Sequence, residues 1–273
     1  MLGKLIKNEF KQTSKSLVAV YSAAGISILF MLLSYVTKIA WLGATGSGAL
    51  IFIGVAAILM TLVMVINNFA RSLYGSQGYL SYTLPVKCSS LLFSKFIVAF
   101  VWIIVSYLVM ALTAFIVAWY AKSQSNGMLE SMFEMVRQLQ VVSDLPTLKL
   151  ILEYLAVLGL GSIITVISFV SFIYFAITVA NTRRFQNKPV LFGMVFFFIV
   201  YFVNKTVATE LMLDLPLSIY VSGDGIGFSF ESMQNAGNVL FNYGIGGKIF
   251  TLIFAVLLLV VTGVIMEKKV NVK

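Results

Sequence analysis

The sequence predicts an all-α integral membrane protein with six transmembrane helices and both termini in the cytoplasm. Three observations carry this. Of the 273 residues 60% are apolar and the mean hydropathy is +1.00. Only 11% are charged, less than half of the roughly 25% usual in a soluble domain. The apolar residues also gather into runs of about twenty, the length that crosses some 30 Å of hydrocarbon. A β-barrel would show weaker, alternating segments instead. With no histidine and one cysteine, a structural zinc site and a disulfide framework are excluded. The net charge of +9 does not point to nucleic acid. The basic residues stand at the ends of apolar runs, where they select orientation and meet anionic headgroups, so the expected partner is the bilayer.

The whole chain, 1–273, reads as one transmembrane domain. Residues 1–16 predict an amphipathic interfacial helix. At 100° per residue, Lys4, Lys7, Lys11 and Lys15 fall in one stripe, and Leu2, Leu5, Ile6 and Phe10 fall opposite. Glu9 projects toward the apolar side, so either it finds a basic partner elsewhere or the helix turns there. This segment is expected to be retained, since the apolar run after it is long enough to span and no small-residue cleavage site follows. The first span is 17–36, with Ala19, Ala23 and Ser27 as a small-residue packing stripe. A short outer loop, 37–47, precedes the second span, 48–66, which ends in Asn67 and Asn68.

Residues 71–87 form a cytoplasmic loop carrying Arg71, Lys87 and, just beyond it, Lys95, punctuated by Gly75, Gly78 and Pro85. The third span is 96–121. An outer segment, 122–149, repeats Met128, Met132, Phe133 and Val136 at helical spacing and predicts a surface helix. The fourth span is 151–179, where Gly159 and Gly161 allow close approach. A basic loop, 181–188, leads to Pro189, which starts a helix. The fifth span, 190–209, is clearly apolar only as far as Val203; its helix either stops near there or continues to Leu213 with a polar patch inside. The outer segment 210–247 is rich in glycine, and Phe228-Ser229-Phe230 is either a short strand or part of a re-entrant element. The sixth span is 249–266, with a basic tail.

Charge sets the orientation. The N-terminal segment, the Arg71 and Arg183 loops and the C-terminal tail hold 13 of the 19 Lys and Arg but only Glu9 and Glu267 among 10 acids. That asymmetry places them in the cytoplasm.

No energy source is encoded. The string closest to a P-loop, Gly244-Ile245-Gly246-Gly247-Lys248-Ile249, lacks the leading glycine and the hydroxyl residue, and reads as a helix start. Without a nucleophile–base pair the chain is not expected to be an enzyme, and it is expected to bind no cofactor or metal. The spans are nearly bare of ionisable groups, which disfavours an ion-coupled carrier.

The basic N-terminal segment KLIKNEFKQ, six spans, and Gln77-Gly78-Tyr79-Leu80-Ser81-Tyr82-Thr83-Leu84-Pro85 between the second and third spans resemble the permease subunit of type-two ABC exporters of Gram-positive bacteria. Relatives of that kind carry acid-Gly-Tyr-Leu-x-x-Thr-Leu-Pro here; this chain has Gln77 in place of the acid. The resemblance implies two permeases, identical or sister subunits, in the bacterial cytoplasmic membrane, with two cytoplasmic P-loop ATPases that hold ATP and magnesium. It implies a short coupling helix over 72–84, with Tyr74, Gly78, Tyr79, Leu80, Tyr82, Leu84 and Pro85 as the ATPase-coupling residues. It places the interfacial helix, with Lys4, Lys7, Glu9 and Lys11, beside that coupling helix. The cargo implied is antimicrobial or toxin peptides, drugs or lipid-like molecules, moved outward. Asn67, Asn68 and Asn204 are the polar residues nearest a substrate path. The competing readings are a non-transporting immunity, sensor or scaffold protein that uses the same loop, and a secondary carrier driven by an ion gradient.

Overall fold

The computed structural model describes residues 2–37, 39–75, 78, 88–124, 148–222, 225–230 and 241–269. In order these form α1 (Leu2–Thr37), α2 (Ala40–Tyr74), α3 (Cys88–Gln124), α4 (Leu148–Ala180), α5 (Pro189–Asp214), β1 (Ser218–Ser222), β2 (Gly225–Ser229), β3 (Phe241–Gly244) and α6 (Gly246–Lys269). Among the described residues six helices are long and apolar enough to cross a membrane. The chain is thus a multi-pass helical membrane protein, and the three short strands qualify the all-α expectation. Two compact units divide it: Met1–Asn68 with Phe93–Ser143, and Phe69–Leu92 with Asp144–Lys273.

In unit one, α1 runs unbroken through Ser16 for 36 residues, about 54 Å at 1.5 Å per residue. The expected boundary between an interfacial helix and a first span is therefore not a break in the helix. No proline or turn chemistry separates the two parts. The expected outer loop 37–47 also shrinks, because α2 already begins at Ala40. The glycines of that stretch are packing sites. A side chain on Gly43 would collide with the Tyr120 hydroxyl and Ser34 Oγ, and one on Gly46 with Met31.

Each helix of this unit buries residues at sevenfold spacing: Leu17, Ala24 and Met31 on α1, Leu50, Ala57 and Met64 on α2, and Ala99, Ser106, Thr113 and Tyr120 on α3. A repeat averaging 3.5 keeps one seam facing its neighbours, as in coiled coils. The expected stripe at Ala19, Ala23 and Ser27 does not hold. Only Ser27 of the three is buried and Ala19 is exposed, since steps of four drift about 40° around a helix.

In unit two, α4, α5 and α6 pack on one another around Phe172, Val200 and Leu258, with Phe175, Phe197 and Phe254 against them. Pro189 stands in the first turn of α5, as expected. Phe185 of the preceding basic loop packs on Phe192 and Phe196 at 4.9 and 5.1 Å between ring centroids. The fifth helix does continue past Val203, to Asp214, and it encloses Asn204 as a buried polar residue. The strands settle the alternatives at Phe228: β2, β1 and β3 form an antiparallel sheet in that order.

The P-loop-like string is the end of β3 and the start of α6. Side chains on Gly246 or Gly247 would run into the Leu211 and Ala208 carbonyls of α5, so these glycines let two helix backbones approach. Gly161 serves similarly, facing the Tyr243 hydroxyl, whereas Gly159 has open space around it. The expected surface helix within 122–149 lies, apart from its ends, outside the described residues.

Candidate functional site

Glu9 was the residue out of place on a helix of lysines, and its surroundings resolve that conflict. Lys4, Lys7, Lys11 and Lys15 are exposed. Glu9, on the other side, is only 9% exposed. Lys95 Nζ donates to Glu9 Oε1 at 2.6 Å, and Asn68 Nδ2 donates to Oε2 at 2.9 Å. Lys95 is itself 2% exposed. A buried carboxylate is tolerated when both oxygens are satisfied and a cation stands against it, and Glu9 meets both conditions.

The network extends along the helices. Thr13 Oγ1 donates to the Glu9 carbonyl at 2.8 Å and accepts from Trp102 Nε1 at 2.9 Å. Phe10 packs on the Trp102 ring at 5.8 Å. Two turns further along α1, Tyr21 and Thr61 both hydrogen-bond Ser106 Oγ. Near the far end, Ser34 Oγ pairs with the Tyr120 hydroxyl at 2.8 Å. Unit one thus carries a ladder of cross-helix polar contacts, with its charged rung nearest the loop that joins α2 to α3.

That placement matters for the loop. Asn68 lies on the helix entering it and Lys95 on the helix leaving it. Both are held by one carboxylate on α1. Within unit two, the last residue of α2, Tyr74, donates its hydroxyl to Thr178 Oγ1 at 2.9 Å, and Phe69 stacks on Tyr174 with centroids 3.8 Å apart. Of the residues expected to couple to an ATPase, Tyr74 therefore has an internal partner on α4. Gly78 is buried, and its N–H donates to the Gly75 carbonyl at 2.8 Å. Tyr79, Leu80, Tyr82, Leu84 and Pro85 lie outside the described residues.

The three asparagines expected along a substrate path are not alike. Asn67 is exposed. Asn68 belongs to the Glu9 network. Asn204, in unit two, is 9% exposed, and its Oδ1 has no hydrogen-bond partner. No cluster of three or more potential metal ligands occurs among the described residues.

Sequence reasoning identified Glu9 and flagged Lys95 only as a basic flank. It missed Thr13, Thr61, Trp102 and Ser106. The available signal was the recurrence, at multiples of seven, of Thr13, Ser27 and Ser34 on α1 (with Val20 in the intervening place) and of Ser106, Thr113 and Tyr120 on α3, which marks a polar seam. No family model matches the chain, and neither does a curated protein or a solved structure.

Proposed function

We propose that this chain is the membrane-spanning permease subunit of an ATP-driven exporter of the ABC type, moving amphipathic peptides or hydrophobic compounds out of the cell. The observation that carries the reading is the Gly78-Tyr79-Leu80-Ser81-Tyr82-Thr83-Leu84-Pro85 stretch, set between two helices whose loop-proximal residues, Asn68 and Lys95, share Glu9. A loop mounted this way transmits displacement. A partner pushing on it would load α2 and α3 together and, through the ion pair, α1. Directional, charge-assisted hydrogen bonds hold their geometry under such a load. ATP would act by binding one state of the assembly more tightly than the other.

In this reading two soluble P-loop ATPases carry ATP and magnesium. A second permease, identical or a sister, completes the assembly in the bacterial cytoplasmic membrane, with the Arg71 loop and both termini on the cytoplasmic side. Tyr79, Leu80 and Tyr82 supply large, rigid anchors for a groove on the ATPase.

The test is co-purification from the native host in mild detergent. A stoichiometric P-loop ATPase, lost when Tyr79 and Leu80 are both changed to Asp in a chain that still inserts, supports the proposal. A chain that purifies alone removes its energy source. The buried Glu9–Lys95 pair favours one competing reading, an ion-coupled carrier, because a buried ionisable pair is material for proton or ion exchange. Uptake or efflux in ATP-free vesicles that collapses with an uncoupler would select it.

A further inference from the structure

The sheet of unit two has an apolar side whose exposed end lies level with the ends of the spanning helices. Antiparallel register sets Ile219 opposite both Phe228 and Tyr243, and Val221 opposite both Ile226 and Phe241. Directly opposed residues project from the same side of a sheet, so Ile219, Phe228 and Tyr243 form one apolar row. On the other side lie the row Ser218, Ser229 and Gly244, and the pair Tyr220 and Gly227.

The height of this side is fixed by chain connection. The α5 span ends at Asp214 and the α6 span begins at Gly246. Just beyond them, the Ile245 N–H donates to the Leu217 carbonyl at 2.9 Å. The next residues, Ser218 and Gly244, are paired with each other, and Ser218 also pairs with Ser229. Phe228 and Phe230 flank Ser229. They are therefore at the end of the sheet where the spans emerge, not at its far tip near Ser222. Tyr243, in the row of Phe228, brings its hydroxyl against Gly161 of α4, so the apolar side adjoins the helices.

Phe228 and Phe230 are nevertheless 72% and 79% exposed. Leu217, next to Ser218 where β1 pairs with Ser229, is apolar and 37% exposed as well. Two bare apolar rings at the height where spans end suit the boundary between headgroups and acyl chains.

We infer that Phe228 and Phe230 anchor the sheet of unit two in the bilayer leaflet at which α5 ends and α6 begins, with lipid as their partner. The anchor is shallow. Among the described residues β2 is an edge strand, and edge backbone groups cannot enter hydrocarbon without partners. The side chains thus reach the acyl boundary while the strand stays among headgroups and water. This inference stands on the membrane-spanning helices alone and does not depend on the exporter proposal.

The experiment uses the full chain with Cys88→Ser, which removes its one cysteine. Phe228→Cys and Phe230→Cys are introduced in separate proteins and labelled with an environment-sensitive nitrobenzoxadiazole dye. Each is reconstituted into phosphatidylcholine vesicles. Both positions are exposed, so neither substitution empties a core. The expected reading is loss of about half the emission with lipid carrying a doxyl group high on the acyl chain, as for groups buried some 5–10 Å. Doxyl near the chain end should quench less, and aqueous iodide should quench several-fold less than it quenches the free dye. Iodide quenching equal to that of the free dye would overturn the inference by placing the rings in water. Protection from both iodide and doxyl lipid would overturn it in favour of a protein cover, such as a second copy. Stronger quenching by the deep label would overturn the shallow geometry.

Discussion

The two units of this chain solve the same packing problem with a different balance of polar links and ring packing. Unit one is held by polar links between helices: Lys95 to Glu9, Trp102 to Thr13, Tyr21 and Thr61 to Ser106, and Ser34 to Tyr120. In unit two several buried hydroxyls turn back on their own helix, as Ser171 does to the Ile167 carbonyl, Thr251 to Gly247 and Thr262 to Leu258. Its helices meet largely through rings, beside the polar links Tyr74–Thr178 and Lys248–Thr165. Phe172 packs edge-on to Phe254 at 5.9 Å, Phe169 edge-on to Phe197 at 5.6 Å, and Phe69 lies flat on Tyr174. In a membrane the hydrophobic effect does not separate helix from lipid, so helices associate by close packing or by hydrogen bonds between them. Unit one draws heavily on the second and unit two on the first. Hydrogen bonds are directional and fix axial register, whereas apolar cores keep their fold through many volume-conserving changes.

The contrast breaks first at Lys95. Lys95→Ala leaves the Glu9 carboxylate buried without its cation and should cost about 3–5 kcal/mol, read as the unfolding midpoint in mixed micelles. Adding Glu9→Gln should recover most of the loss. If the double variant is no better than the single one, the penalty is not that of an orphaned charge. Phe172→Ala tests the other unit. It should open a cavity costing about 3 kcal/mol, with Phe172→Leu far milder because an apolar interface repacks. Next comes a matched pair of serines. Ser106→Ala removes the partner shared by Tyr21 and Thr61 and should cost about 1 kcal/mol. Ser171→Ala removes only a bond within its own helix and should change stability by a few tenths of a kcal/mol, as for a substitution away from any cross-helix link. Equal effects would erase the distinction between the units. The smallest expected effect has the opposite sign. Asn204→Leu replaces a buried carbonyl oxygen that has no partner with a group that needs none, and should be neutral or stabilising by up to about 1 kcal/mol.

The same contrast explains what could be read in advance. Phe172, Phe197 and Phe254 lie in runs whose apolarity alone assigns them to spans, so the helices of unit two were legible, including the proline start of α5. The polar links of unit one were not, because each joins residues far apart in the chain. Glu9 and Lys95 are 86 positions apart, and nothing local to Lys95 distinguishes a buried partner from a headgroup lysine. The outer loop expected over 37–47 was too long for a related reason. In water glycine most often ends a helix; between packed membrane helices it admits a neighbour, here Tyr120 and Met31.

By itself the sequence determined that this protein is helical and has six segments long and apolar enough to cross a membrane. Those conclusions rest on run length and composition, which are properties of single segments facing a uniform solvent. Tertiary structure alone decided that α1 is continuous, that α2 begins at Ala40, that Glu9 pairs with Lys95 and Asn68, and that a three-stranded sheet joins α5 to α6. Each depends on which segments meet. A strand of four or five residues has no stability of its own until its neighbours complete its hydrogen bonds, and a carboxylate on an apolar face is tolerable only once its cation has arrived.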